Sequence, residues 1–160
     1  MKEGKIVLIG KAAAGKDFMR KRMIDRGFTF GISCTTRRPR KGEVDGKDYY
    51  FLTREEFEQK IANDELVEYQ EFNGWLYGIT KTEFDRCDVL ILNADAVEML
   101  PEEIRNRCFV IYLDIPLEIR RDRIYVRNDN DDMIDRRIEA DELQYQNFNN
   151  YDCRITNHDF

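Results

Sequence analysis

Gly10, Gly15 and Lys16 stand in the order G-x-x-x-x-G-K, and Asp17 follows where a phosphate-binding loop of this pattern carries Ser or Thr. Such a turn between a buried strand and a helix aims several backbone N–H groups at one point, and the helix N-terminus adds partial positive charge there. Phosphate suits that point. Gly10, Ala12, Ala13, Ala14, Gly15, Lys16, Asp17 and Phe18 form the expected ATP-binding set, with Lys16 as the charge that reaches the β- and γ-phosphates. Asp17 has no hydroxyl for Mg²⁺, yet a carboxylate can serve the metal directly or through water. Without the ion it would repel the phosphates, so nucleotide binding is expected to depend on Mg²⁺ more than is usual. Taken alone, the loop also fits a strand-turn-helix with incidental glycines and an acidic residue favoured by the helix dipole.

Few other chemistries are open to this chain. Its single histidine, His158, gives little to a mechanism that needs an imidazole base or a His-rich metal site. Cys34, Cys87, Cys108 and Cys153 form no C-x-x-C pair, which argues against zinc and against a disulfide framework. Buried thiols are expected, and the chemistry must run on Arg, Lys and carboxylates. The segment Thr35-Thr36-Arg37-Arg38-Pro39-Arg40-Lys41-Gly42 concentrates cations beside Pro and Gly, the composition of a loop.

The elements that hold these residues follow from periodicity. An apolar strand over Lys5 to Ile9 runs into the glycine loop, and Met19 and Met23 recur at helical spacing over Lys16 to Arg26. Phe28 to Cys34 reads as a second strand and Tyr49 to Leu52 as a third. Thr53-Arg54-Glu55-Glu56 is a capping box that opens a helix running to about Asn63, with Leu52 and Phe57 placed as a hydrophobic staple. Glu65 to Phe72 and Trp75 to Thr80 flank Asn73-Gly74, a hairpin signal. Val89 to Leu92 and Phe109 to Leu113 are continuous apolar runs, as in strands buried on both faces of a parallel sheet. Helices are expected over Leu117 to Val126 and Asp131 to Phe148 around a polar break, and a last strand over Tyr151 to Thr156. The fold class is therefore α/β with an inserted β-rich lobe.

A chain of 160 residues, 42% hydrophobic, fits one domain. Lys and Arg total 26 against 32 Asp and Glu, a net charge of -6, which favours neither nucleic acid nor an acidic membrane as partner. The apolar run near the N-terminus is too short for a signal peptide or a membrane span, so a cytoplasmic location is expected.

The stretch Ser33-Cys34-Thr35-Thr36-Arg37-Arg38-Pro39-Arg40-Lys41-Gly42-Glu43-Val44-Asp45-Gly46-Lys47-Asp48-Tyr49 closely resembles the S-x-T-T-R-x-P-R-x-G-E-x-x-G-x-D-Y signature of guanylate kinases. The resemblance continues through Phe51 to Phe57, Glu65 to Tyr69 and Tyr77-Gly78, and with the phosphate loop and the Arg-rich segment it spans nearly the whole chain. It implies a P-loop nucleoside-kinase fold with a core (1–32, 81–121, 138–160), a nucleoside monophosphate lobe (33–80) and a helical lid (122–137). It implies transfer of a phosphoryl group from ATP to GMP or dGMP with Mg²⁺, by a monomer or homodimer; the alternatives are a monophosphate kinase with another base preference and a catalytically weak guanylate-kinase-like module that binds a nucleotide or a protein partner. Ser33, Arg37, Arg40, Tyr49, Glu68, Tyr77, Ile79 and Asp95 would line the acceptor site, with Asp95 also serving the metal. Arg123, Arg127 and Arg137 correspond to lid arginines that close over the transferring group beside Lys16, and Asn157 joins the ATP-binding set. The chemistry agrees. Arg forks and tyrosine hydroxyls clamp a dianionic phosphate, and a carboxylate accepts from guanine N1–H and N2–H₂, where adenine offers an acceptor at N1 and no 2-amino group. Each of these residues also has an ordinary reading: a solvated basic loop, lobe packing for the tyrosines, a helix N-cap for Asp95, and surface ion pairs for the lid arginines.

The chain departs from the family pattern at several points. Asp17 replaces Ser or Thr, Ala13 replaces a loop glycine, and Asn93 replaces the first residue of a D-x-D pair that ends at Asp95. Ile79 stands where a hydroxyl residue helps read guanine, which is expected either to loosen guanine selectivity or to shift preference toward a different base or a deoxynucleotide. A terminal helix is expected after Thr156-Asn157-His158-Asp159, whereas the sequence ends at Phe160; a second subunit could then cover the core there.

Overall fold

The computed structural model describes residues 4–126 and 131–160. The elements run β1 (Lys5–Gly10), α1 (Lys16–Ile24), β2 (Cys34–Thr35), β3 (Tyr50–Phe51), α2 (Arg54–Ala62), β4 (Leu66–Phe72), β5 (Trp75–Thr80), α3 (Lys81–Arg86), β6 (Val89–Ile91), α4 (Ala94–Met99), α5 (Glu102–Arg105), β7 (Cys108–Leu113), α6 (Leu117–Val126), α7 (Asp131–Tyr145) and β8 (Cys153–Ile155). None of the described helices is long and apolar enough to cross a membrane.

The apolar runs form a parallel sheet in the order β6-β1-β7-β8. β1 lies inside it, so both of its faces must be apolar. Val7 and Ile9 pack on one face with Leu90, Val110 and Tyr112, while Leu8 packs on the other with Phe30, Val89 and the α1 methionines Met19 and Met23. A second sheet, β3-β2-β5-β4, makes the lobe. Its hairpin turns at Asn73 and Gly74, both at positive φ (56° and 83°), which suits a two-residue turn. At the start of α2 the Thr53 hydroxyl accepts from the Glu56 N–H at 3.1 Å and the Glu56 carboxylate accepts from the Thr53 N–H at 2.8 Å, the reciprocal cap its sequence specifies.

The strand expected over Phe28 to Cys34 does not form. Its backbone donors go to different partners: Gly31 N–H to the Val89 carbonyl, Ile32 N–H to the Glu83 carboxylate, and only from Cys34 does the chain join the lobe sheet. This segment crosses from one sheet to the other, and a Cβ on Gly31 would lie 2.5 Å from a Leu90 methyl. The third strand shrinks to Tyr50–Phe51, α1 ends at Ile24 and α7 at Tyr145. Gly27, at φ +91°, donates back to the Ile24 carbonyl and closes α1 two residues early. Helices α3, α4 and α5 escaped the sequence reading because each is six residues or fewer, too short for periodicity to register.

Candidate active site

β1 delivers the chain at its C-terminal end into the phosphate loop. A Cβ on Gly10 would meet the Leu113 carbonyl oxygen at 2.8 Å, and Gly15 has φ +100° with an aromatic carbon of Phe160 2.9 Å from where a Cβ would sit. Both positions require glycine. Ala13 adopts φ 60° although it has a side chain, and its methyl packs with Ile124, Ile134 and Ile138 of α6 and α7. Two N–H groups of the loop have side-chain partners: Gly10 N–H donates to the Tyr145 hydroxyl at 3.1 Å, and Ala12 N–H donates to the buried Asp141 carboxylate at 2.7 Å. Lys16 Nζ donates to the Gly10 and Lys11 carbonyls, inside the curl of the loop. Beneath it, fully buried Arg120 donates to the Ile115 carbonyl at 2.9 Å and to Glu142 at 2.6 Å, and Glu142 also pairs with Lys11.

A cleft of about 640 Å³ joins this loop to the lobe sheet, and its walls include Gly10 and the loop from Ala12 through Asp17, together with Ser33, Arg37, Arg40, Tyr49, Glu68, Tyr77 and Arg137. Arg37 forks onto Glu43 at 3.0 and 2.9 Å, and its guanidinium lies 5.3 Å from the centroid of the Tyr49 ring. Tyr49 and Tyr77 meet edge to face at 6.2 Å. Glu43 also accepts from the Arg40 N–H at 2.7 Å, so one carboxylate fixes both arginine positions. Loss of solvation, then the charges of Arg137 and Arg37, lower the Arg40 pKa. Arg40 is thus close enough to feel both its loop neighbour Arg37 and Arg137 on α7, an arrangement that an anion with two or more charges would relieve.

Glu68 is 5% exposed, and burial lifts its pKa from 4.5 to about 8 against the opposing hydrogen bond from the Ile79 backbone. Its Oε2 has no hydrogen-bond partner among the described residues. The carboxyl group is thus held mostly protonated at neutral pH, with one oxygen unmet.

Several expected site residues lie elsewhere. The Ile79 side chain is fully buried in the core with Cys87 and Leu90 and does not line the cleft; only its backbone reaches Glu68. Asp95 is exposed and accepts from Gln144 at 2.8 Å, off the cleft wall. The N-cap of α4 is Asn93, whose side chain accepts from the Ala96 N–H at 2.8 Å, not Asp95. Asp17 and Asp95 therefore do not share a pocket. Arg123 donates to the Ala13 carbonyl at 3.0 Å on the outer side of the loop. Phe18 is half exposed against the Phe160 ring, at 6.4 Å between centroids, and exposed Asn157 accepts from the Asp159 N–H; neither lines the cleft. Arg127 lies outside the described residues. Sequence reasoning missed Glu43, Arg120, Asp141 and Tyr145, which hold the loops from behind. The i, i+3 spacing of Arg40 and Glu43 was the one signal available; Asp141 and Tyr145 reach the loop across more than a hundred residues, and Arg120 bonds to Glu142 on another helix.

A phosphate loop after an inner parallel strand, facing an arginine-rich lobe across a cleft, defines the α/β fold of the P-loop kinases. The family profile described as Guanylate kinase matches residues 2–160. The guanylate kinase of Latilactobacillus sakei subsp. sakei is 36% identical over 164 residues, covering 95% of this chain and 80% of the relative. That of Lactococcus lactis subsp. lactis is 33% identical over 161 residues, covering 95% and 78%. The crystal structure of guanylate kinase from Anaplasma phagocytophilum superposes with a TM-score of 0.72 at 24% identity, covering 99% of this chain and 79% of that one. The chain belongs to the guanylate kinase family.

Proposed function

We propose that the protein transfers the γ-phosphoryl group of ATP to the phosphate of GMP or dGMP, giving ADP and GDP or dGDP. The observation that carries this reading is the meeting, in one cleft, of a phosphate loop, converging arginines and a buried carboxyl with an unmet oxygen. Lys16 and the loop amides hold the ATP phosphates, exchanging their present partners for phosphate oxygens. Arg37, Arg40, Tyr49 and Tyr77 hold the acceptor phosphate, and Ser33 and Glu68 face the base. An acceptor oxygen bonds to the γ-phosphorus as the bond to the β–γ bridging oxygen breaks, with ADP as leaving group; Arg137 offsets the charge spread over the transferring group.

Mg²⁺ fits these residues in a restricted way. Among the described residues no three carboxylate, His or Cys side chains cluster around one point. Asp17, exposed on the cleft wall, would be the protein ligand, with phosphate oxygens and water completing the shell. When bound, the ion screens charge between the β- and γ-phosphates. The lobe (33–80) and the lid (122–137) close on the core when both nucleotides are bound and exclude water that would hydrolyse ATP. Free cysteines, three of them buried, are compatible with a cytoplasmic location.

The test is ADP formation from Mg-ATP with GMP, dGMP, IMP, AMP, CMP, UMP and dTMP, with Lys16→Ala as control. Turnover with GMP or dGMP that is lost in the variant is expected. Turnover restricted to another acceptor would overturn the base assignment, and none in folded protein would overturn the kinase activity.

A further inference from the structure

The cross-strand register of β4 and β5 pairs Glu68 with Ile79, Gln70 with Tyr77 and Phe72 with Trp75. Residues directly opposite one another share a sheet face, and so do residues two apart on a strand. Glu68, Gln70 and Phe72 therefore stand on successive rungs of the same face, and all of them line the cleft together with Tyr77 and Trp75. On that face Ile79 contributes no polar side chain, because it is sunk in the core.

Among the described residues, the buried side-chain atoms without a hydrogen-bond partner are Glu68 Oε2, Gln70 Oε1 and Arg107 Nε. Two of these lie on neighbouring rungs of the cleft wall, and both are acceptors once the Glu68 carboxyl is ionised. A buried acceptor left unmet costs about 1–3 kcal/mol, so a pair of them side by side points to a ligand edge that brings adjacent donors. Guanine has such an edge: N1–H and the two N–H of its 2-amino group. Glu68 can take N1–H and one amino hydrogen, which leaves the second amino hydrogen for a neighbouring acceptor.

We propose that Gln70 is a specificity-determining residue whose side-chain oxygen accepts a hydrogen bond from the 2-amino group of the acceptor base. The inference rests on the GMP reading above and deepens it. Hypoxanthine matches guanine at N1–H and O6 but has no 2-amino group, so with IMP bound Gln70 keeps its unmet oxygen. Gln70 thereby makes up, from β4, for the polar side chain that position 79 on β5 does not offer.

The experiment compares GMP and IMP in the wild type, Gln70→Ala and Gln70→Leu, the leucine keeping most of the side-chain bulk. It reads kcat/KM for each acceptor and, independently of turnover, the Kd of each from the fluorescence of Trp75, the only tryptophan and itself on the cleft wall. Loss of one hydrogen bond to the base should lower kcat/KM for GMP about fivefold to tenfold in both variants, chiefly through KM, and leave IMP within about twofold. The GMP-to-IMP ratio thus falls. An equal loss for both acceptors would show a structural role and overturn the proposal, as would unchanged GMP values or a wild type that does not prefer GMP to IMP. Absence of GMP binding and turnover in the wild type would overturn the underlying GMP reading instead.

Discussion

The two walls of the cleft are in opposite states. On the core side, Tyr145 holds the Gly10 amide, Asp141 holds that of Ala12, and Lys16 is bonded to the Gly10 and Lys11 carbonyls. On the lobe side Glu68 and Gln70 present unmet oxygens, and Arg40 lies near the like charges of Arg37 and of Arg137 on α7. The difference teaches that donor and acceptor binding face different obstacles. A triphosphate must displace the bonds that Ala12 and Lys16 make already, whereas a guanine base meets two oxygens, of Glu68 and Gln70, that have no partner among the described residues. The loop resembles a closed hand and the lobe an open one, so substitutions should act on affinity with opposite sign on the two sides wherever they remove an internal partner.

The largest effect is expected on the core side. Lys16→Ala should lower turnover by at least about 100-fold, since the cation stabilises charge developed in transfer, with the circular dichroism spectrum unchanged. Retained turnover would mean that the resting bonds of Lys16 to its loop are its main role. Next comes Glu68→Gln, which should lower kcat/KM for GMP by about 30-fold or more, because a carboxylate hydrogen-bonded to the base becomes a neutral amide.

The same carboxyl predicts two pH effects. Guanine needs the carboxylate while the free protein holds the proton, so GMP affinity should rise by up to about tenfold per pH unit towards the Glu68 pKa of about 8 and level off above it. Stability runs the other way. Between 4.5 and about 8 the folded protein retains a proton that the unfolded chain has released, so this group's contribution to stability falls as pH rises through that window and is lowest above it. Denaturation midpoints of the wild type and Glu68→Gln should diverge in favour of the variant as pH increases; parallel curves would refute the raised pKa.

A smaller effect sharpens the contrast on the loop. Asp141→Asn removes a negative charge that competes for the Ala12 amide, and should tighten ATP about threefold, a gain of roughly 0.7 kcal/mol typical of one partly exchanged hydrogen bond. Weaker ATP binding would instead make Asp141 an organiser of the loop rather than a competitor. Smallest of all is Ala13→Gly. It relieves a left-handed conformation costing about 1–2 kcal/mol and loses the burial of one methyl, worth about 0.8 kcal/mol, so thermal denaturation should show a gain of less than about 1 kcal/mol.

Much of the fold was legible because the signals were local. The apolar runs of β1, β6 and β7, the Thr53 to Glu56 cap and the Asn73-Gly74 turn each depend on backbone and side-chain chemistry within a few residues. Phe28 to Cys34 misled because it has strand composition but crosses between sheets, where its donors are claimed by Val89, by Glu83 and by the lobe in turn. Of the site, Lys16, Arg37, Arg40, Tyr49, Glu68, Tyr77 and Arg137 do meet at one cleft. Ile79 and Asp95 do not: Ile79 shares the face of Glu68 but is covered by the core with Cys87 and Leu90, and Asp95 lies exposed, accepting from Gln144.

The sequence by itself determined the kinds of contact this protein can make: glycines where the loop backbone must come close, arginines and tyrosines for phosphate, a glutamate for a base, and no histidine within the motifs. Tertiary structure alone decided which of those groups are already occupied. Asp141 against Ala12, Arg120 beneath the loop and the rungs that set Gln70 beside Glu68 arise from segments brought together by burial, and hydrogen-bond satisfaction is a property of that enclosure. A residue's chemistry is carried in its type, whereas whether an atom has a partner depends on every element folded around it.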